Sequence, residues 1–236
     1  MLYRQTVAPL FATLSLIVGS LGCGSADLNY KSEPAGEEAA ASDAQTFRFD
    51  TPSSGPPANW KTGTSNGETV ATWEVRADDS APSPSTSLVL TDTRENTGQH
   101  YNLCWEPSLS HADVDVTVSL RADEGSEDQG GGPAWRLTDS ANYYAARWNP
   151  LEDNFRVYSI VNGRREQLDS ADVSADPSAW HRIRVRQVGT TITCWFDGEE
   201  LLHADDTKLS SPGAVGLWTK ADATTRFDDL TVGAAN

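Results

Sequence analysis

Asn154-Phe155-Arg156-Val157-Tyr158-Ser159-Ile160-Val161, followed at once by Asn162-Gly163, is the stretch that decides the fold. Its β-branched and aromatic residues recur at period two, the spacing that puts alternate side chains on opposite faces of a strand. Asn-Gly is the dipeptide best suited to a two-residue hairpin turn, because both central residues of a type I′ turn need positive φ. A strand, a tight turn and a returning strand are therefore predicted. Asp197-Gly198 marks a second hairpin after Thr191-Ile192-Thr193-Cys194-Trp195-Phe196.

Working outward from 154–161, alternation bounded by Gly, Pro, Asn and Asp predicts further strands at 72–76, 87–90, 101–105, 114–120, 134–137 and 143–149. It predicts others at 167–173, 180–188, 191–196, 215–219 and 226–232. Alternation begins at residues 46–50. Helical periodicity and repeats of fixed length are both missing from this region. A dozen short antiparallel strands in one domain predict an all-β fold, a two-sheet antiparallel jelly-roll sandwich over residues 46–236.

The start of the chain reads differently. Arg4, the apolar run at residues 10–18 and Leu21-Gly22-Cys23-Gly24-Ser25 predict a lipoprotein signal peptide over 1–22, with Cys23 lipidated as the mature N-terminus. Ser20 departs from the usual lipobox, where Leu is expected. The other reading is an ordinary cleavable signal whose cleavage site happens to include a Cys. Gly24 and Ser25 after the Cys favour the outer over the inner membrane of a bacterial envelope. Residues 23–45 are polar and acidic and read as a disordered tether.

The chain holds 34 acidic and 18 basic residues, a formal charge of −16. Nucleic acid and anionic lipid are poor partners for that surface. Cys104 and Cys194 remain after Cys23. If the large apolar sets on both strands face the core, Cys194 points inward and Cys104 outward, which argues against a disulfide. No His or Cys cluster has zinc-ligand spacing.

Parity separates two faces on the central strands. Trp135 and Leu137, then Tyr144, Ala146 and Trp148, then Phe155 and Val157, with Val215 and Leu217, form inward sets. The opposite face is predicted to carry Arg136, Tyr143, Arg147, Asn149, Asn154, Arg156, Tyr158, Trp218 and Lys220. Guanidinium and amide donors beside flat aromatic rings suit a pyranose, so this face is a candidate carbohydrate site. The competing reading is a solvated face, each Arg paired to a carboxylate such as Glu152 or Asp153. The loop before Arg136 contains Gly130-Gly131-Gly132, which permit close backbone approach to a ligand. Its Glu127 and Asp128 are candidates for acid, base or calcium ligands. His181, at a strand start, reads as a structural histidine.

Nucleophile-elbow, phosphate-loop and dinucleotide motifs are missing, as is the Glu-x-Asp-x-x-Glu strand of laminarinase-type glycosidases. A retaining glycosidase built on two close carboxylates is disfavoured.

Residues 129–136 (QGGGPAWR) and 139–158 (DSANYYAARWNPLEDNFRVY) carry a resemblance. With them go Val161-Asn162-Gly163-Arg164-Arg165, Trp180-His181-Arg182-Ile183-Arg184-Val185, Phe196-Asp197-Gly198, residues 215–222 (VGLWTKAD) and Phe227-Asp228-Asp229-Leu230. Together they resemble the 3-keto-disaccharide hydrolase domain, also described as a 3-keto-glycoside lyase or hydratase domain, with a concanavalin A-like sandwich. The resemblance implies cleavage of a glycoside already oxidised at C3, whose ketone acidifies the C2 proton. Such chemistry needs a base, an electrophile near the ketone oxygen and, in some cases, a divalent metal, calcium or a transition metal. Arg136, Arg147, Arg156 and Lys220 are the candidates for the electrophile. Glu127, Asp128 and Glu152 are the candidates for the base, and Tyr143, Asn149, Asn154, Tyr158 and Trp218 for holding the sugar. Two other functions stay open: a non-catalytic glycan-binding surface lipoprotein, and a structural envelope lipoprotein.

Overall fold

The computed structural model describes residues 43–93 and 96–235. The expected signal peptide over 1–22, Cys23 and the expected tether up to residue 42 lie outside these residues. All regular structure described is strand. One sheet contains β1 (Gln45–Phe47), β3 (Thr72–Ala77), β4 (Thr86–Asp92), β6 (Val114–Glu124), β11 (His181–Val188), β12 (Thr191–Phe196), β13 (Glu199–Asp205) and β15 (Thr224–Gly233). The other contains β2 (Lys61–Ser65), β5 (Tyr101–His111), β7 (Gly132–Asp139), β8 (Asn142–Asn149), β9 (Asn154–Val161), β10 (Arg164–Asp172) and β14 (Gly213–Lys220). Their orders are β13-β12-β11-β6-β15-β4-β3, with β1 on β15, and β10-β9-β8-β7-β14-β5-β2. Every pairing is antiparallel, so this is the two-sheet jelly-roll sandwich the alternation predicts.

Both turns behave as their dipeptides require. Asn162 and Gly163 have φ of 52° and 74°, and Asp197 and Gly198 have 49° and 86°. The first turn fixes the β9–β10 register, with Arg164 opposite Val161 and Arg165 opposite Ile160.

Between the sheets lies the main core. Trp135, Tyr144, Ala146, Trp148, Phe155, Val157, Val215 and Leu217 enter it from the second sheet, and Val116, Val118, Leu120, Ile183, Val185 and Phe227 from the first. Burial of such side chains contributes about 1.5–3 kcal/mol each.

Three details depart from strict parity. β7 carries a bulge: Ala134 and Leu137 stand opposite Gly216 and Ala214, three steps against two. Arg136 is the residue thrown out of register, at φ 46°. Leu137 therefore crosses to the outer face, away from the core expected for it. On β5 the assignment reverses: Cys104 packs in the main core, and Tyr101, Leu103 and Trp105 pack on the outer face. Cys104 and Cys194 are both buried and free.

The third departure matters most. The outer face of the second sheet is not a wet surface but a second apolar cluster of Tyr101, Leu103, Ala134, Leu137, Tyr143, Ala145, Tyr158, Ile160, Ala214 and Trp218. Large rings on four strands, β5, β8, β9 and β14, fill the space that polar side chains leave open on an ordinary exposed sheet.

Candidate functional site

Seven residues meet at one end of this outer face. β8 contributes Arg147 and Asn149, β9 contributes Asn154 and Arg156, and β14 contributes Lys220. The loop before β7 brings Asp128, and the β8–β9 turn brings Glu152. The regular β8–β9 ladder pairs Arg147 with Arg156 and Asn149 with Asn154, which is why the four share a face.

Asp128 is at the centre and wholly buried, its side chain 0% exposed. Arg147 Nη1 donates to its Oδ2 at 2.9 Å and Oδ1 at 3.1 Å, Lys220 Nζ donates to Oδ2 at 2.6 Å, and Asn149 Nδ2 to Oδ1 at 3.2 Å. Burial lifts the Asp128 carboxyl above its ordinary value, and Arg147 and Lys220 hold that rise in check. On its other side Arg147 donates through Nη2 to Glu152 Oε2 at 2.9 Å and Asn154 Oδ1 at 3.1 Å. Arg156 Nη1 and Asn154 Nδ2 each donate to the same Glu152 oxygen at 2.9 Å. Burial opposes ionisation of Glu152, but Asn154 and the two guanidiniums outweigh it and hold the carboxyl below its usual range. Glu152 is the open member of the network, 41% exposed, whereas Arg147 is 1% exposed.

The other candidates fall elsewhere. Arg136, thrown off the face by the bulge, is 3% exposed. Its Nε donates to the carbonyl of Ala112 at 2.6 Å, Nη1 to that of Leu209 at 2.8 Å and Nη2 to that of Gly189 at 2.7 Å. It ties three loops together and takes no part in the network. Glu127 is exposed and accepts the backbone N–H of Gly98 at 2.5 Å. Tyr143 and Trp218 are buried rather than presented as platforms. Trp218 Nε1 donates to Tyr143 Oη at 3.1 Å, and that hydroxyl lies 2.8 Å from Ser65 Oγ. Tyr158 is also buried, under the guanidiniums of Arg147 and Arg165, 5.8 and 4.5 Å from its ring centroid.

The glycines before β7 admit backbone rather than ligand: a Cβ on Gly131 would collide with the Trp218 carbonyl, and one on Gly132 with that of Ala146. His181 is structural, hydrogen-bonded to Asp197 Oδ2 at 2.7 Å and the Asp176 carbonyl at 2.8 Å. Among the described residues no three His, Cys, Asp or Glu side chains gather as a metal site.

Three contributors escape the residue pattern. Arg165 and Tyr101 flank Tyr158 on the outer face. The Asn162-Gly163 turn could have located Arg165, since its register sets that residue opposite Ile160, whereas parity puts Tyr101 on the wrong face. Asp222 accepts the backbone N–H groups of Ser126, Glu127 and Asp128 and so holds the loop that bears Asp128; no local sequence signal marks it.

The two-sheet jelly roll is of the class of folds found in a carbohydrate-binding module and in glucanases. The family model described as the 3-keto-alpha-glucoside-1,2-lyase-like domain matches residues 58–233, and the chain belongs to that family. No curated protein matches it in sequence. Among solved structures it is similar to a carbohydrate-binding module, CBM66, from Bacillus subtilis, at 18% identity and a TM-score of 0.60, covering 75% of this chain and 96% of that one. A β-glucanase from Bacillus licheniformis gives 12% identity and a TM-score of 0.56, over 81% and 98% of the two chains. Domain 4 of an extracellular arabinanase from Geobacillus stearothermophilus, in complex with arabinotriose, gives 10% and 0.51, over 82% and 95%. At these identities the likeness establishes the fold.

Proposed function

We propose that the domain cleaves 3-keto glycosides at the Arg147–Glu152–Arg156 end of the outer face. The observation that carries this reading is Glu152, a partly open carboxylate held at 2.9 Å by each of two guanidiniums on a chain of the 3-keto-alpha-glucoside-1,2-lyase-like family. In the reaction, the carboxylate takes the C2 proton that the neighbouring ketone has made acidic. The C2–H electron pair passes through an enolate to form the C1=C2 bond, and the C1–O bond breaks, its oxygen leaving as the alcohol after protonation. Charge that develops on the ketone oxygen meets Arg156, whose side chain is 30% exposed, and a hydrogen bond from such a charged donor contributes about 1.5–3 kcal/mol. Asp128 and Lys220, both buried, position Arg147.

A second reading is a non-catalytic glycan-binding module. The low pKa of Glu152 favours it, because a carboxylate held below its usual range is a weak base. The similar folds of a carbohydrate-binding module and of an arabinanase domain in complex with arabinotriose support a carbohydrate under either reading. The test incubates the mature chain with a p-nitrophenyl 3-keto-α-glucoside and follows phenol release. Release that falls at least 100-fold in a folded Glu152→Gln variant supports cleavage. Absence of release, with calorimetric binding that Arg156→Ala abolishes, moves the assignment to the second reading.

We further propose that the chain is exported and lipid-anchored at Cys23 in the outer membrane. The signal-like residues 1–22 support this. Cys23→Ser is expected to move the protein from the membrane to the soluble fraction, and unchanged fractionation would overturn the proposal.

A further inference from the structure

Arg165, on the edge strand β10 of the second sheet, lies across the ring of Tyr158 with its guanidinium carbon 4.5 Å from the centroid, and 5.6 Å from that of Tyr101. Arg147 approaches the same Tyr158 ring. Three buried polar atoms around this ring have no hydrogen-bond partner: Arg147 Nε, Arg165 Nη1 and Tyr158 Oη. Buried polar groups in folded proteins are almost always paired, so three orphans about one ring mark a place where something else supplies the acceptors. Two of the three are donors on cations, and the third can donate as well.

Charge sharpens the argument. The chain has 34 acidic residues against 18 basic ones. The neighbouring guanidiniums of Arg147 and Arg156 each have a carboxylate within 3 Å. Arg165 has no ion pair with any carboxylate among the described residues. Around the outer face the four cations Arg147, Arg156, Arg165 and Lys220 meet the two carboxylates Asp128 and Glu152, leaving two positive charges uncompensated. The overall charge of −16 does little to repel an anion from this spot, because screening at physiological salt removes the effect of charges beyond about 8 Å.

We propose that Arg165, Tyr158 and Arg147 form a subsite for the carboxylate of an acidic sugar, so that the glycosides this domain prefers carry a carboxyl group. A carboxylate presents two oxygens to the two guanidinium N–H groups while the phenol donates to either one, and the Tyr101 and Tyr158 rings offer apolar surface to the sugar carbons. A tetrahedral phosphate dianion would leave more oxygens unmet. Arg165 is the half-buried member of the three, Arg147 and Tyr158 being 1% and 2% exposed, so a ligand would enter from its side.

This proposal rests on the reading that the outer face binds a sugar. Calorimetry on the mature chain compares methyl α-glucuronide with methyl α-glucoside. The glucuronide is expected to bind at least tenfold more tightly, with an advantage that shrinks as salt is raised. Arg165→Met should erase the advantage, Arg165→Lys should restore part of it, and Tyr158→Phe should reduce it. Thermal melts confirm that the variants fold. Equal affinities for the two glycosides, or an advantage that persists in Arg165→Met, would overturn the subsite. Cleavage of neutral 3-keto glycosides without any acid preference would remove the subsite alone, whereas absence of binding and cleavage for every glycoside removes both it and the function proposed above.

Discussion

The carboxylate of Asp222 accepts the backbone N–H of Asp128 at 2.9 Å, across 94 residues of chain. It also takes the N–H of Ser126 at 2.7 Å, the Ser126 hydroxyl at 2.6 Å and the N–H of Glu127 at 3.0 Å. One surface carboxylate thus holds three consecutive amides and sets where Asp128 enters the network. Burial opposes its ionisation, but these donors outweigh it and bring its pKa down to about 2. A folded pKa below the unfolded value of about 3.9 contributes stability that is full above pH ~4 and lost as pH falls through about 2. Because the group is partly exposed, we expect Asp222→Ala to cost about 1–2 kcal/mol at pH 7 and little at pH 2. Urea denaturation at the two pH values checks this, and equal costs at both would refute it.

Asp128 is expected to be the least replaceable residue of the site for stability. Removing its charge leaves the Lys220 ammonium and the Arg147 guanidinium facing each other without their shared anion. Breaking a buried pair in this way costs about 3–5 kcal/mol. Asp128→Leu combined with Lys220→Met should cost less than the two single changes added together, because the double variant leaves one fewer buried charge unmatched. A double-mutant cycle by chemical denaturation measures the difference; simple additivity would mean that Lys220 and Asp128 are not coupled.

All twelve strands read from alternation are present, the alternation that begins at residues 46–50 overlaps β1, and the two strands not read, β2 and β13, are those whose residues hide it. β2 is Lys-Thr-Gly-Thr-Ser, with no large apolar side chain, and β13 opens on two glutamates. Parity places Arg147, Asn149, Asn154 and Arg156 together because the β8–β9 ladder has no irregularity. It fails for Arg136 and Leu137 because a bulge adds one residue that no local pattern announces. The burial of Tyr143, Tyr158 and Trp218 is not readable, since an aromatic ring suits a filled face and an open one equally. Asp128 and Asp222 lie far apart in sequence, so their meeting is a property of the closed sandwich alone.

Arg136 supplies the contrast between a site residue and a structural one. Its three carbonyl partners, in Ala112, Leu209 and Gly189, belong to separate loops away from the network. A hydrogen bond from a charged donor contributes about 1.5–3 kcal/mol, and losses around one side chain are not additive. Arg136→Met is therefore expected to lower stability by about 2–4 kcal/mol while leaving glycoside binding by the folded protein unchanged. Calorimetric titration below the melting transition decides it: a lost binding signal in folded Arg136→Met would return this residue to the site.

Asp228 makes the opposite kind of titrating group from Asp222. It is fully buried on β15, where Oδ2 accepts the N–H of Ser83 at 2.7 Å and Oδ1 the N–H of Asp229 at 2.8 Å, with the Ser83 hydroxyl bonded to both oxygens. Burial exceeds the effect of these donors and pushes the pKa up to about 6. With an unfolded value of about 3.9, the native state holds the proton more tightly than the unfolded chain between pH ~4 and ~6. Stability therefore falls as pH rises through that window, by about 3 kcal/mol, and the loss is complete above it. A carboxamide at this position cannot ionise, so Asp228→Asn should lack this fall. Below pH ~4 the variant should be slightly less stable than the parent, because its single oxygen cannot serve all of the donors; at pH ~7 it should recover relative to the parent by up to about 3 kcal/mol. Taking the difference between the two proteins cancels every other titrating group, including Asp222. Urea denaturation of both at pH ~4 and pH ~7 supplies the measurement, and a constant difference across that range would show that Asp228 does not titrate there.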